Sequence, residues 1–292
     1  MIEIPKIKLN DGNEIPQLGF GVFQIPDHDE AVKSVEMALK NGYRLIDTAE
    51  AYNNQKAVGE AIKNSGIDRK DIFLTTKLWV SNFTYEKASA AIDHDLEELG
   101  TDYIDLMLLH QAYGDVAGAW RALEDAQKAG KIKSIGVSNF WPDQMMNLQL
   151  MSNVKPALNQ IEINPWFQRD PEVKWNQKDD VTVEAWAPFA EGKGGIFTNP
   201  TLAEIGKKYG KSVGQVILRW LIQRGIIVIP KSVHDARQKE NIDVFNFELS
   251  EGDMRKIAGL DKNVSQFFDH HDPQTIEQIF GSSLNQLREK KQ

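Results

Sequence analysis

Short apolar runs of strand character recur along the chain: Leu18–Gly21, Arg44–Asp47, Ile72–Lys77, Ile104–Leu109, Ser134–Ser138, Ala157–Ile161, Thr182–Trp186 and Ile226–Ile229. Continuous apolar runs of this length mark strands buried on both faces. Their starts are mostly spaced by roughly one strand–helix unit, about 25–30 residues. The stretches between them carry helical stripes. Ala31, Val35, Ala38 and Leu39 form one, and Ala88, Ile92, Leu96 and Leu99 form another that Gly100 is placed to end. Asp115 is placed to cap a helix carrying Val116, Trp120 and Leu123, which Gly130 closes. Before the eighth run lie two helical stretches, Leu202–Tyr209 and Val213–Arg224, the second opened by a Ser212/Gln215 capping box.

Eight strands alternating with helices predict an α/β fold, a closed parallel (β/α)8 TIM barrel. Lys6 to Ile15, turning at Asp11-Gly12, reads as an N-terminal β-hairpin that plugs the barrel floor. The polar C-terminal tail after Asn263, with Phe267, Phe268 and Ile279, is expected to wrap over the barrel. No linker or low-complexity segment interrupts the chain, so residues 1–292 are read as a single domain.

Composition narrows the function classes. At 292 residues and 41% hydrophobic the chain can bury a large core. A net charge of −8 without a basic stretch argues against a nucleic-acid partner. An anionic cofactor then needs local positive charge. Without cysteine there is no disulfide, thiolate metal site or thiol nucleophile. His270-His271 is one adjacent pair with no further ligand, so no metal is expected. The start, Met1-Ile2-Glu3-Ile4-Pro5, lacks a signal-peptide pattern, and no run of ~18 apolar residues reads as a membrane span. The expectation is a soluble, cytoplasmic protein with no membrane partner.

In a parallel barrel, chemistry gathers where the strands end. Asp47 ends the second run, Lys77 ends the third, and His110 follows the fourth. Ser138 and Asn139 end the fifth, Gln160 lies in the sixth, Trp186 ends the seventh, and Pro230-Lys231-Ser232 follows the eighth. Any one of these is an ordinary rim residue. An acid, a lysine and a histidine closing three successive strands converge on one mouth.

Gly42-Tyr43-Arg44-Leu45-Ile46-Asp47-Thr48-Ala49 with Gln55 and Gly59, Leu108-Leu109-His110-Gln111, Gly136-Val137-Ser138-Asn139-Phe140 and Ile229-Pro230-Lys231-Ser232 resemble the aldo-keto reductase superfamily. The resemblance runs from about Leu9 to Asp272, and is nearest to bacterial members similar to 2,5-diketogluconate and glyoxal reductases. It implies NADPH-dependent reduction of a small carbonyl substrate by a monomer. Tyr52 would be the general acid, its phenol lowered by Lys77 paired with Asp47, and His110 would orient the carbonyl. Tyr52 enters through this motif; by itself it is a loop aromatic.

The chain lacks a dinucleotide fingerprint, because Gly19-Phe20-Gly21 is followed by Gln24 rather than glycine. The resemblance instead places NADPH (NADP+) across the barrel mouth. Ser138, Asn139 and Gln160 would bind the carboxamide, and Trp186 would stack on the ring. Lys231, Ser232 and Arg237 would hold the 2′-phosphate, with Glu240 and Asn241 toward the adenine; Gly21, Val22 and Val233 complete the set. Asp235 is an unhelpful charge beside that phosphate site. Phe23, Trp79, His110 and Tyr113 are the expected substrate-binding residues, although core packing is equally open for Trp79. Val22-Phe23, Trp186-Ala187 and Gln111 depart from commoner family forms, which puts the transfer of substrate in doubt. Two other readings stay open: a lyase or isomerase using Lys77 as a Schiff-base amine, and a noncatalytic NADPH-binding regulatory barrel.

Overall fold

A computed structural model describes residues 3–289. Strands β1 (Lys6–Lys8) and β2 (Glu14–Pro16) pair antiparallel, with Ile7 opposite Ile15. Eight strands follow: β3 (Phe20–Gly21), β4 (Leu45–Asp47), β5 (Phe73–Leu78), β6 (Ile104–Leu109), β7 (Ile132–Ser138), β8 (Leu158–Glu162), β9 (Thr182–Trp186) and β10 (Ile227–Val228). They pair in parallel in chain order. The two ends of the sheet meet at a parallel bridge between Leu18 and Val228, where Gly19 N donates to Val228 O at 2.8 Å and Val228 N to Gln17 O at 3.1 Å. The sheet is thereby closed into the (β/α)8 barrel.

The first and last barrel strands are shorter than their apolar runs. Pro230 follows the last run and has no N–H for a ladder, so regular pairing stops near Val228. Gly21 marks a close approach at the same seam, since a Cβ there would sit 2.9 Å from Ile229 O.

Two apolar layers result. Inside the barrel, Leu45, Phe73, Leu106, Leu108, Leu158 and Ile227 pack with Leu9 and Ile15 of the hairpin. Gly12 (φ +93°) makes the hairpin turn, and Asn10 and Asn13 tie it to the barrel floor through Pro156 O at 2.9 Å and Ser134 Oγ at 3.0 Å. The expected plug is in place. The second layer lies between barrel and helices and takes up the stripes on His28–Lys40, Tyr85–Leu99, Val116–Lys128 and Val213–Gln223.

Capping follows the sequence. Asp115 Oδ1 accepts from Gly118 N at 2.8 Å, Gly100 ends its helix in the left-handed conformation, and Ser212 and Gln215 bond each other reciprocally. Each such N-cap contributes ~1 kcal/mol. The C-terminal segment crosses the barrel mouth as expected. Buried Glu162, at the end of β8, accepts from Ser265 Oγ at 2.6 Å and Gln266 N at 3.0 Å. Helix Pro273–Glu289 then buries Phe280 against Trp79 and Tyr113. Among the described residues no helix is long and apolar enough to cross a membrane.

Candidate active site

The strand register brings the polar residues together. Asp47 ends β4, Lys77 lies one residue before the end of β5, and His110 follows β6. Lys77 is fully buried, and its Nζ donates to Asp47 Oδ1 at 2.6 Å, Thr48 O at 2.9 Å and the Tyr52 hydroxyl at 3.3 Å. All three ammonium protons are therefore committed. Tyr52 reaches this point from a short turn, Glu50–Tyr52, after β4. Asn53 leaves the turn in the left-handed region (φ +55°), which asparagine tolerates. Asn54 fixes it, accepting from Thr48 Oγ1 at 2.8 Å and donating to Val22 O at 3.0 Å and Ile25 O at 3.2 Å. Glu50 clamps the facing turn, accepting from Trp79 N at 2.5 Å and from Asn82 Nδ2 at 2.6 Å.

These contacts set the charges. Burial opposes the positive charge on Lys77, but Asp47 and Tyr52 outweigh it and hold the ammonium above its ordinary range. Burial raises the Tyr52 phenol; Lys77 pulls it back down while Asp47 adds to the rise. The expected downward pull of Lys77 is real, but burial exceeds it and the resting phenol keeps its proton. His110 is pushed well below the usual histidine range, first by burial and then by Lys77, so its imidazole is neutral. Its ring stands edge-on to Tyr52 (centroids 5.7 Å apart) and Trp79 (5.1 Å).

A pocket of about 1220 Å³ opens above these groups. Asp47, Tyr52, His110, Phe23 and Trp79 line it together with Gly21, Ser138, Asn139, Gln160 and Trp186. Its other end carries Lys231, Ser232, Val233, Arg237, Glu240 and Asn241. Two expected residues lie elsewhere. The Val22 side chain is buried in the core, with only its carbonyl engaged by Asn54. Tyr113 packs on Phe280 and donates to His270 O, behind the wall rather than in it. The sequence reading also missed lining residues. Gln24, Phe189, Lys193 and Phe197 come from two loops, and Phe267, Phe268 and Ile279 from the tail. The tail aromatics were visible as apolar residues in a polar segment, but their destination was not.

The donor set fits an anionic dinucleotide. Trp186 is held by Nε1 donating to Asn139 Oδ1 at 2.9 Å, and lies tilted against Phe267, 5.1 Å between ring centroids. Asn139 Nδ2 donates to His110 O and Ser138 Oγ, and Ser138 Oγ donates to Gln160 O. Gln160 Nε2 bonds Asp47 and Glu184, which leaves Gln160 Oε1 without a donor among the described residues. A carboxamide N–H could fill that position. At the far end, neither Lys231 nor Arg237 has a carboxylate partner among the described residues. Asp235 is instead held by Lys239 at 2.6 Å and Asn41 Nδ2 at 2.9 Å, so its charge is not spent on Arg237. His270 and His271 stack on different rings, Phe268 and Trp141, rather than converging.

A parallel barrel with an acid, a lysine, a tyrosine and a histidine at one aromatic mouth defines a class of oxidoreductases acting on carbonyls and alcohols. The sequence profile of the Aldo/keto reductase family matches residues 17–262, and the chain belongs to that family. It is 43% identical over 258 residues to glyoxal reductase of Bacillus subtilis, covering 88% of this chain and 93% of that protein. It is similar to the crystal structure of an aldo/keto reductase from Brucella melitensis (50% identity, TM-score 0.85, 89% of this chain and 100% of that one). It also resembles a Bombyx mori aldo-keto reductase solved in complex with NADP (35% identity, TM-score 0.89, 95% of this chain and 98% of that one).

Proposed function

We propose that this chain reduces small aldehydes or ketones to alcohols with NADPH, Tyr52 supplying the proton. The observation that carries the reading is Lys77 Nζ, held 2.6 Å from Asp47 Oδ1 and 3.3 Å from the Tyr52 hydroxyl at the pocket floor. Bound NADPH supplies a hydride to the carbonyl carbon. Negative charge then grows on the carbonyl oxygen, and the Tyr52 hydroxyl, protonated at rest, passes its proton to that oxygen. The Lys77 ammonium stabilises the phenolate left behind, and Asp47 keeps the amine charged. Neutral His110 offers an N–H to the same oxygen and orients the carbonyl. Ser138, Asn139, Gln160 and Trp186 would hold the nicotinamide end. Lys231, Ser232 and Arg237 would hold the 2′-phosphate, with Val233, Glu240 and Asn241 lining the adenosine end.

The same geometry disfavours Schiff-base chemistry. A nucleophilic amine must be neutral and free, whereas Lys77 is held charged with its donors occupied. Phe23, Trp79, Phe267 and Phe268 in the pocket lining favour an uncharged, partly apolar carbonyl. An NADPH-oxidation screen over methylglyoxal, aromatic aldehydes, aldoses and diketo sugar acids tests the proposal. NADPH binding without turnover of any of these carbonyls would favour a noncatalytic barrel instead.

A further inference from the structure

Beneath the Lys77 ammonium lies a second carboxyl that the reaction above leaves unused. Glu184 sits on β9 in register with Gln160 on β8 and Ile227 on β10, and it is fully buried. Gln160 Nε2 donates to Asp47 Oδ2 at 2.9 Å and also to Glu184 Oε1, so one amide joins the two carboxyls. Glu184 Oε2 is buried with no hydrogen-bond partner among the described residues. Asp47 disfavours a charge on Glu184, while Lys77 and the Gln160 amide favour it; its neighbours in register, Gln160 and Ile227, carry no charge.

The charge balance decides its state. Lys77 contacts Asp47 directly, so Asp47 holds the anion. A second anion one amide away would leave two carboxylates sharing one ammonium in a dry interior, which is costly. We propose that Glu184 is a positioning residue carried as a neutral carboxylic acid, which keeps the Asp47–Lys77–Tyr52 chain electrically balanced so that Tyr52 can release its proton. Burial first, and Asp47 second, push Glu184 up to about 8 against the opposing pull of Lys77 and Gln160. The coupling runs to the phenol, since a charged Glu184 raises Tyr52. Above that pH Glu184 ionises, Tyr52 becomes a weaker acid, and carbonyl reduction slows.

The inference rests on Tyr52 as the acid, and two readouts separate the claims. The first is the pH profile of kcat for reduction, each enzyme normalised to its own maximum. In wild type the alkaline limb should fall near pH 8, and in Glu184→Gln it should move up by about one unit or more. Superimposable profiles would overturn the proposal, because a purely structural Glu184 would not shift the limb. The second readout needs no turnover: the infrared carbonyl band of a protonated carboxyl, titrated through pH 8. It is measured in an Asp95→Asn background, because burial also raises Asp95 to about 8. The band should be present at neutral pH, vanish as pH rises and be missing in Glu184→Gln, or in Glu184→Met should the glutamine variant not fold. Absence of the band at neutral pH overturns the proposal. An active Tyr52→Phe enzyme would instead overturn the acid role while leaving the infrared result standing.

Discussion

Replacing Lys77 with methionine removes one charge from the floor of the pocket and keeps most of the side-chain volume. The Lys77 Nζ to Tyr52 hydroxyl distance is 3.3 Å. At an effective dielectric of ~20, an ammonium and a phenolate at that separation attract by about 5 kcal/mol. That corresponds to roughly 3–4 units of phenol acidity. If about half of the phenolate charge has formed at the transition state, the barrier rises by ~2–3 kcal/mol and kcat falls roughly 10²-fold. The assay is steady-state NADPH oxidation with a saturating aldehyde, alongside direct titration of NADPH affinity, which should change little. Lys77→Met also strands Asp47 as a buried anion, at a cost of ~3–5 kcal/mol in stability. The double variant Lys77→Met/Asp47→Asn removes that second effect. It should regain thermal stability but only part of the rate, since removing the Asp47 charge also relieves the Tyr52 phenol while the ammonium stays absent. A loss of kcat under about five-fold in Lys77→Met, or full recovery of the wild-type rate in the double variant, would refute the electrostatic argument.

Tyr52→Phe should abolish most reduction while NADPH affinity, read by fluorescence quenching, stays near wild type; equal loss of both would count against the acid role. Lys231→Ala and Arg237→Ala each remove a charge-assisted bond worth ~1.5–3 kcal/mol. Each should weaken NADPH binding by roughly ten-fold or more with little change for NADH. Glu50→Ala releases Trp79 N and Asn82, so the aldehyde KM should rise several-fold more than kcat falls. Asp95 is raised by burial, so the folded state binds a proton that the unfolded chain has lost at neutral pH. Its contribution therefore makes stability decline as pH rises from about 4 toward 8, by up to ~1.4 kcal/mol per unit. Chemical denaturation across that range should show a shallower decline in Asp95→Asn.

Much of this is legible in the amino-acid sequence, for identifiable reasons. Runs such as Ile104–Leu109 are apolar at every position but Asp105 because parallel barrel strands are covered on both faces, so the barrel is legible in such runs and their spacing. Asp47, Lys77 and His110 stand out because strand ends face one mouth. Tyr52 does not, because it sits on a turn whose placement depends on Asn54 reaching back to Val22 and Ile25. Glu184 is silent for another reason. A strand residue alternates sides with its neighbours, and nothing in Thr182–Trp186 says which side meets Asp47. Two aromatics illustrate a third limit: Phe267 of the tail lines the pocket and Tyr113 of the loop after β6 does not, and only contacts separated far along the chain sort them. The acidity of Tyr52 was readable in its ingredients and not in its sum, because burial and Lys77 pull in opposite directions.

The seam of the barrel also has a consequence in time. Leu18 bridges Val228, so the strand made first waits for the strand made last. At ribosomal speeds of about 5–20 residues per second, that wait is on the order of 10–40 s. Until then the growing sheet carries two open edges, each a template for pairing with another chain. The hairpin at Lys6–Pro16 is local and forms early, but its seat inside the barrel exists only once the ring has closed. Production of this protein should therefore be limited by how well the cell shields those edges during synthesis.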